Sequence, residues 1–154
     1  MIHIKIELKE YSIQEQINIL TDISDLQSAK YLAKLNYNFE LKYQVALSLV
    51  QIPKPNENDI LNTINRVKIL RLNKIRSQLN PSQNETLKII LDNTNIRLRD
   101  IIHILNVDSD DMIYKHLKKL ELFGIITQKN LSHLGRGRYN EISLNNDYKI
   151  KSGI

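Results

Sequence analysis

The chain has 154 residues, a formal charge of +5 and no cysteine, which excludes disulfides, thiolate zinc sites and a cysteine nucleophile. No apolar run is long enough to span a membrane, and the first ten residues alternate charge with Ile instead of forming a signal-peptide core, so we expect a cytoplasmic protein without a membrane partner. The basic excess permits a nucleic-acid partner without establishing one.

The first predicted element is a strand over residues 2–8, where Ile and Leu alternate with charged residues. Its own module offers no evident strand partner, and proteins usually cover an unpaired strand edge. Two partners remain open: the same strand of a second copy, and the segment Tyr148–Ile150 of the same chain.

Three helices are expected after this strand. Ser12 and Glu15 have the spacing of a capping box, which predicts a helix start. Apolar residues then recur at helical spacing over three ranges, Ser12–Leu20, Asp25–Leu35 and Phe39–Val50. Residues 1–53, with a net charge of −1, are therefore interpreted as an N-terminal helical assembly module with one strand.

Residues 54–81 are interpreted as a basic linking helix. Pro53 and Pro55 predict a linker at 51–56, and a long helix should follow from Glu57 to Leu79, ended by Asn80-Pro81. Residues 54–82 have a net charge of +4, although such a helix is more often a scaffold than a DNA contact. Its apolar face, formed by Ile60, Ile64, Val67 and Ile75, predicts a homodimer that buries it.

The remaining residues, 82–154, predict three helices and a hairpin. A second capping-box pattern, Ser82 to Glu85, should open the first helix, and Ile96 and Leu98 should form a short strand before the second helix, which contains Ile101, Ile102 and Leu105. The turn after the second helix is assigned to 106–108.

The third helix should run from Ser109 to Phe123, with Gly124 as a C-cap of positive φ. Strands at 125–131 and 139–144 should form the hairpin. The buried positions of the third helix are predicted to be Ile113, Leu117 and Leu120.

The stretch IRLRDIIHILNVDSDDMIYKHLKKLELFGIIT, followed by GRGRYNEISLN, resembles the winged helix-turn-helix superfamily of small bacterial and archaeal regulators. The most similar part is HLKKLELFGII, which matches the family's recognition helix running into a Gly and the first wing strand. The resemblance covers Ser82 to Asn145 and implies a mainly α fold with a β-hairpin wing. It also implies binding of double-stranded DNA, with the third helix in the major groove.

The resemblance and the helical phase together name the candidate DNA-binding residues. The outward positions of the third helix are Asp111, Tyr114, Lys115 and Lys118. The wing tip Gly135-Arg136-Gly137-Arg138 suits phosphate or minor-groove contact. The predicted DNA-binding set is Ser109, Tyr114, Lys115, Lys118, Lys129, His133, Arg136 and Arg138. Asp108, Asp110 and Asp111 oppose direct base reading by the helix start, although acids there also stabilise the helix.

Other functions are less well supported. His133 and Arg136 match the His-x-x-Arg box of tyrosine recombinases, with Tyr139 or Tyr148 as nucleophile, but the chain is too short for such an enzyme. The four histidines lack metal-ligand spacing, and no phosphate-binding loop occurs, so we expect no metal, no cofactor and no enzymatic activity.

The leading hypothesis is a sequence-specific DNA-binding transcriptional regulator. A DNA-binding protein for plasmid or virus replication or partition, and a winged-helix adaptor that binds protein, are the alternatives.

Overall fold

The computed structural model of the protein describes residues 10–93, 95–107, 109–129 and 140–150. Over these residues the fold is mainly helical, with a small three-stranded antiparallel sheet. The elements in chain order are α1 (Ile13–Thr21), α2 (Leu26–Ala33), α3 (Phe39–Leu49), α4 (Glu57–Arg76), α5 (Pro81–Asp92), β1 (Ile96–Arg97), α6 (Leu98–Leu105), α7 (Asp110–Leu122), β2 (Ile126–Lys129) and β3 (Glu141–Leu144).

The chain forms two compact units, and the boundary between them falls inside α4, between Val67 and Lys68. In the first unit, α1, α2, α3 and the first part of α4 enclose one apolar core. Its buried residues are Leu20, Ala29, Leu32, Leu41, Val45, Ala46, Leu49, Ile60, Ile64 and Val67.

Local signals in the sequence predicted the helices of the first unit. The Ser12 hydroxyl accepts a hydrogen bond from the Glu15 amide at 3.2 Å, and the Glu15 carboxylate accepts one from the Ser12 amide, so the predicted capping box is confirmed. The Asp25 side chain caps α2 in the same way by accepting from the Ser28 amide. The proline-containing linker at 51–56 contains neither helix nor strand.

The predicted junction between the fourth and fifth helices is wrong in two respects. α4 ends at Arg76, three residues before the expected Leu79. The capping box that opens α5 uses Asn80 and Gln83 instead of Ser82 and Glu85. Asn80 accepts from the Gln83 amide at 2.8 Å, and Gln83 accepts from the Asn80 amide at 3.0 Å. Pro81 then occupies the first helical position, where its missing N–H has no cost. Asn80-Pro81 therefore begins a helix instead of ending one.

The apolar face of α4 that motivated the homodimer is already buried within the chain. Ile60, Ile64 and Val67 belong to the core of the first unit, and Ile75 packs against the core of the second. This face is therefore not available to a second copy, and the homodimer stays a prediction without that support. The predicted strand at 2–8 lies outside the described residues. The segment Tyr148–Ile150, its possible intramolecular partner, contains no strand, and Tyr148 is buried at the end of a 3-10 turn.

The second unit contains α5, α6 and α7 with the sheet in the order β1-β3-β2. Ile142, on the central strand, lies opposite Ile96 on one side and Gln128 on the other. The predicted pairing of the two late strands is confirmed, and residues 130–139 between them lie outside the described part of the chain. The predicted short strand is confirmed at Ile96, whereas Leu98 begins α6.

We predict that Lys42→Met destabilises the first unit. The side chain is 3% exposed, and its ammonium donates to the Gln16 side-chain oxygen at 2.8 Å and to the Ala33 carbonyl at 2.9 Å. Removing the donor leaves these acceptors unsatisfied, at a cost of about 1–3 kcal/mol in the free energy of unfolding. Urea unfolding measures the loss, and Lys30→Met, at an exposed position on α2, is the control. Equal stability of the two variants would contradict the structural role of Lys42.

Candidate nucleic-acid interface

The candidate interface is built on α6 and α7, which a short turn connects. Asn106 ends α6 in the left-handed conformation, with φ of 49°, which allows the chain to reverse direction. Ser109 caps α7 by accepting a hydrogen bond from the Asp111 amide at 3.3 Å. The predicted site residue Ser109 thus has a structural role at the helix start, and Asp108 lies outside the described residues.

One side of α7 is fully buried. Ile113, Leu117 and Leu120, the predicted inward positions, are each 0% exposed. They join the second core with α5, α6 and the sheet. Because a helix turns once every 3.6 residues, this burial directs the opposite positions toward solvent.

The solvent side of α7 presents the predicted residues. Tyr114, Lys115 and Lys118 are exposed, as is Asp111. Sequence reasoning missed Leu122, which is 81% exposed. Its spacing from Lys118, at i+4, was a sufficient signal, because it continues the outward row by one more turn.

The electrostatics of α7 are balanced. Asp110, Asp111 and Glu121 offset Lys115, Lys118 and Lys119 within this one helix. Two of the acids lie in its first turn, where a negative charge interacts favourably with the helix dipole. Any attraction to phosphates therefore depends on where each lysine lies and not on a net charge of the helix.

A groove runs between α7 and β2. It is lined by Tyr114, Lys118, Glu121, Leu122 and Gln128. The Gln128 amide donates to the Glu121 carboxylate at 2.8 Å and so links the strand to the helix. Neither Gln128 nor Glu121 was predicted as a site residue, because only the fold brings the two elements together.

The predicted site residue Lys129 is exposed at the end of β2, opposite Glu141 on β3. Glu141 in turn lies opposite Arg97 on β1. Residues directly opposite each other on neighbouring strands share one face of the sheet, so a carboxylate separates these two cations. The remaining predicted residues, His133, Arg136 and Arg138, lie outside the described part of the chain.

Two cations of α4 have internal roles in the second unit. The buried Lys68 ammonium donates to the Lys149 carbonyl at 2.6 Å, and the Arg71 guanidinium lies 5.7 Å from the centre of the Tyr148 ring. These contacts hold the segment that follows β3 against α4. The basic charge predicted for this helix is thus partly used to build the fold.

A buried polar contact fixes α7 against α5. His116 is 5% exposed, and its Nδ1 lies 2.9 Å from the Thr86 hydroxyl. Burial lowers the pKa of His116, and the nearby Lys119 ammonium lowers it further. The neutral ring is therefore favoured in the folded protein, and the direction of its hydrogen bond with the Thr86 hydroxyl is set by the ring tautomer.

Some other kinds of site find no support in the described ranges. No cluster of three or more acidic or histidine side chains there could hold a metal ion. None of the helices in the described part of the chain combines the length and the apolar character needed to cross a membrane.

Comparisons of the chain with protein-family models, with curated proteins and with solved structures find no match. We therefore infer the function from the sequence and from the geometry of the second unit.

We predict that the stability of the protein falls as the pH drops below about 6.5 because of His116. The pKa of this ring is lowered in the folded state, so the unfolded chain binds the proton at a higher pH. The stability from the neutral ring is complete above the unfolded value, near pH 6.5, and is lost as pH falls toward the lower folded value.

Thermal melting across this range tests the prediction. His116→Asn removes the titrating group and should flatten the pH dependence, whereas His103→Asn, at an exposed position, should leave it unchanged. A pH profile that is the same in His116→Asn and in the unsubstituted protein would show that this ring is not responsible.

Proposed function

We propose that residues 82–145 form a winged helix-turn-helix domain that binds double-stranded DNA, and that the protein is a sequence-specific transcriptional regulator. One observation supports this most directly. Lys115 and Lys118 are exposed on the outward side of α7, while the inward side of the same helix is buried. A helix anchored in this way can enter the major groove, which accepts a helix and displays a distinct pattern for each base pair.

The order of elements in the second unit supports the same proposal. A helix, a short strand, two helices and two paired strands follow one another as the resemblance implies. In this proposal α7 is the recognition helix, and β2 and β3 are the base of the wing. Arg136 and Arg138 would then lie near the wing tip, where guanidiniums suit phosphates or a narrow minor groove.

A second candidate is a winged-helix module that binds another protein. The balanced charge of α7 favours it, because a DNA-binding helix gains affinity from a surplus of lysine and arginine. A protein for plasmid or virus replication or partition would use the same DNA interface as a regulator. Its target site, and not this interface, would distinguish it.

We predict salt-dependent binding to duplex DNA through α7. Each lysine that neutralises a phosphate releases condensed counterions and adds about −0.9 to the slope of log K against log salt. Replacing Lys115 and Lys118 by Ala should therefore reduce the magnitude of the slope by up to about 1.8. Fluorescence anisotropy over a range of salt concentrations measures both slopes.

The control for this experiment is a double replacement of Lys30 and Lys34 by Ala. Both lysines are exposed in the first unit, and the variant has the same change in net charge. An equal effect of both double variants would show that α7 has no specific part. Absence of binding by the unsubstituted protein at low salt would favour the protein-binding candidate.

We further predict that replacing both Arg136 and Arg138 by Ala weakens DNA binding. The reason comes from the sequence alone, since Gly135 and Gly137 each precede one of these two arginines in a turn expected to meet the phosphates. Thermal melting and a DNA titration are measured on the same sample. Unchanged affinity in a variant that melts like the unsubstituted protein would remove the wing from the interface.

A further inference from the structure

The outward row of α7 contains one apolar side chain that the proposed DNA interface does not explain. Leu122 follows Lys115 and Lys118 at spacings of seven and four residues, so all three lie along one side of the helix. At 81% it is the most exposed large apolar side chain in the described ranges. Neither the core nor the helix start requires an apolar residue at this position.

Tyr114 extends this apolar surface. It is 38% exposed and lines the same groove as Leu122, with Lys118 between them in sequence. The groove therefore combines a ring, an aliphatic side chain and a cation. Glu121 also lines it, and its carboxylate accepts the Gln128 amide.

The hydrogen-bonding groups of this surface can read few bases. The exposed outward positions of α7 contain no Asn or Gln, the side chains that bind adenine through two hydrogen bonds, and no Arg, so Lys115 and Lys118 are the groups there that can bind the guanine edge. The Gln128 amide is already engaged with Glu121. Asp111 lies eleven residues before Leu122, about 16 Å away along the helix axis, and so does not share the groove.

We infer that Leu122 and Tyr114 contact thymine methyl groups and that the protein prefers A·T-rich duplex DNA. This inference rests on the proposed DNA-binding function. The C5-methyl group of thymine is the only apolar group that a base pair displays in the major groove. The two lysines beside Leu122 have the charge that suits the phosphates on either side of that groove. An apolar groove next to two cations therefore matches a methyl-bearing base edge flanked by phosphates.

Replacing thymine by deoxyuridine tests this inference, because it removes the methyl group and leaves every hydrogen-bonding group in place. The probes are two A·T-rich duplexes of the same sequence, one with thymine and one with deoxyuridine. Burying one methyl group corresponds to about a fourfold gain in affinity, so the thymine duplex should bind about four times more tightly for each methyl contacted.

The variant Leu122→Ala should lose the part of the thymine preference that Leu122 supplies, and a double replacement of Leu122 and Tyr114 by Ala should bind the two duplexes with nearly equal affinity. Leu70→Ala is the matched control, because Leu70 is 62% exposed on α4 and should keep the thymine preference. Equal affinity of the unsubstituted protein for both duplexes would overturn this inference and leave DNA binding itself intact. A thymine preference that stays undiminished in the double variant would also overturn it. Failure to bind either duplex would overturn the proposed function and this inference together.

Discussion

The burial of one side of α7 is the constraint on which the candidate interface depends. Ile113, Leu117 and Leu120 are completely removed from solvent. At 3.6 residues per turn, a shift of one position would rotate the helix by about 100° and expose this apolar row. The core thus determines that Lys115, Lys118 and Leu122 face outward. The hydrogen bond between His116 and Thr86 adds a polar contact that only one rotation of the helix satisfies.

The same constraint extends from α7 into the sheet through Gly124. This residue has φ of +75°, a conformation that glycine adopts without strain, and it lets the chain turn directly from the helix into β2. The backbone N–H of Asn145 donates to the Ile125 carbonyl, and the side-chain amide of Asn145 donates to the Gly124 carbonyl. The end of β3 is therefore tied to the turn after α7. The position of the groove between α7 and β2 follows from these bonds.

Periodicity and capping patterns predicted most of the helices because both are local. They failed at the start of α5, where Asn80 to Gln83 and Ser82 to Glu85 overlap as possible capping boxes and Pro81 decides between them. Periodicity also indicated that one face of α4 is buried. It did not indicate that the cores of the two units within the same chain cover that face. In the site, the outward lysines followed from helical phase. The bond between Gln128 and Glu121 did not, because the fold alone brings a strand and a helix together there.

Charge along the sequence is a poor guide to this interface because part of it is structural. In α4, the buried Lys68 donates to the Lys149 carbonyl, and the partly buried Arg71 guanidinium lies over the Tyr148 ring, so both cations are engaged within the fold. In α7 the acids equal the lysines in number. The lysines of α7 are thus offset by acids of the same helix, and short-range contacts must contribute more of the discrimination between partners. The groove beside α7 exposes the apolar side chain of Leu122 and the ring of Tyr114, and under the proposed function a single methyl group on a base edge would therefore have a measurable effect.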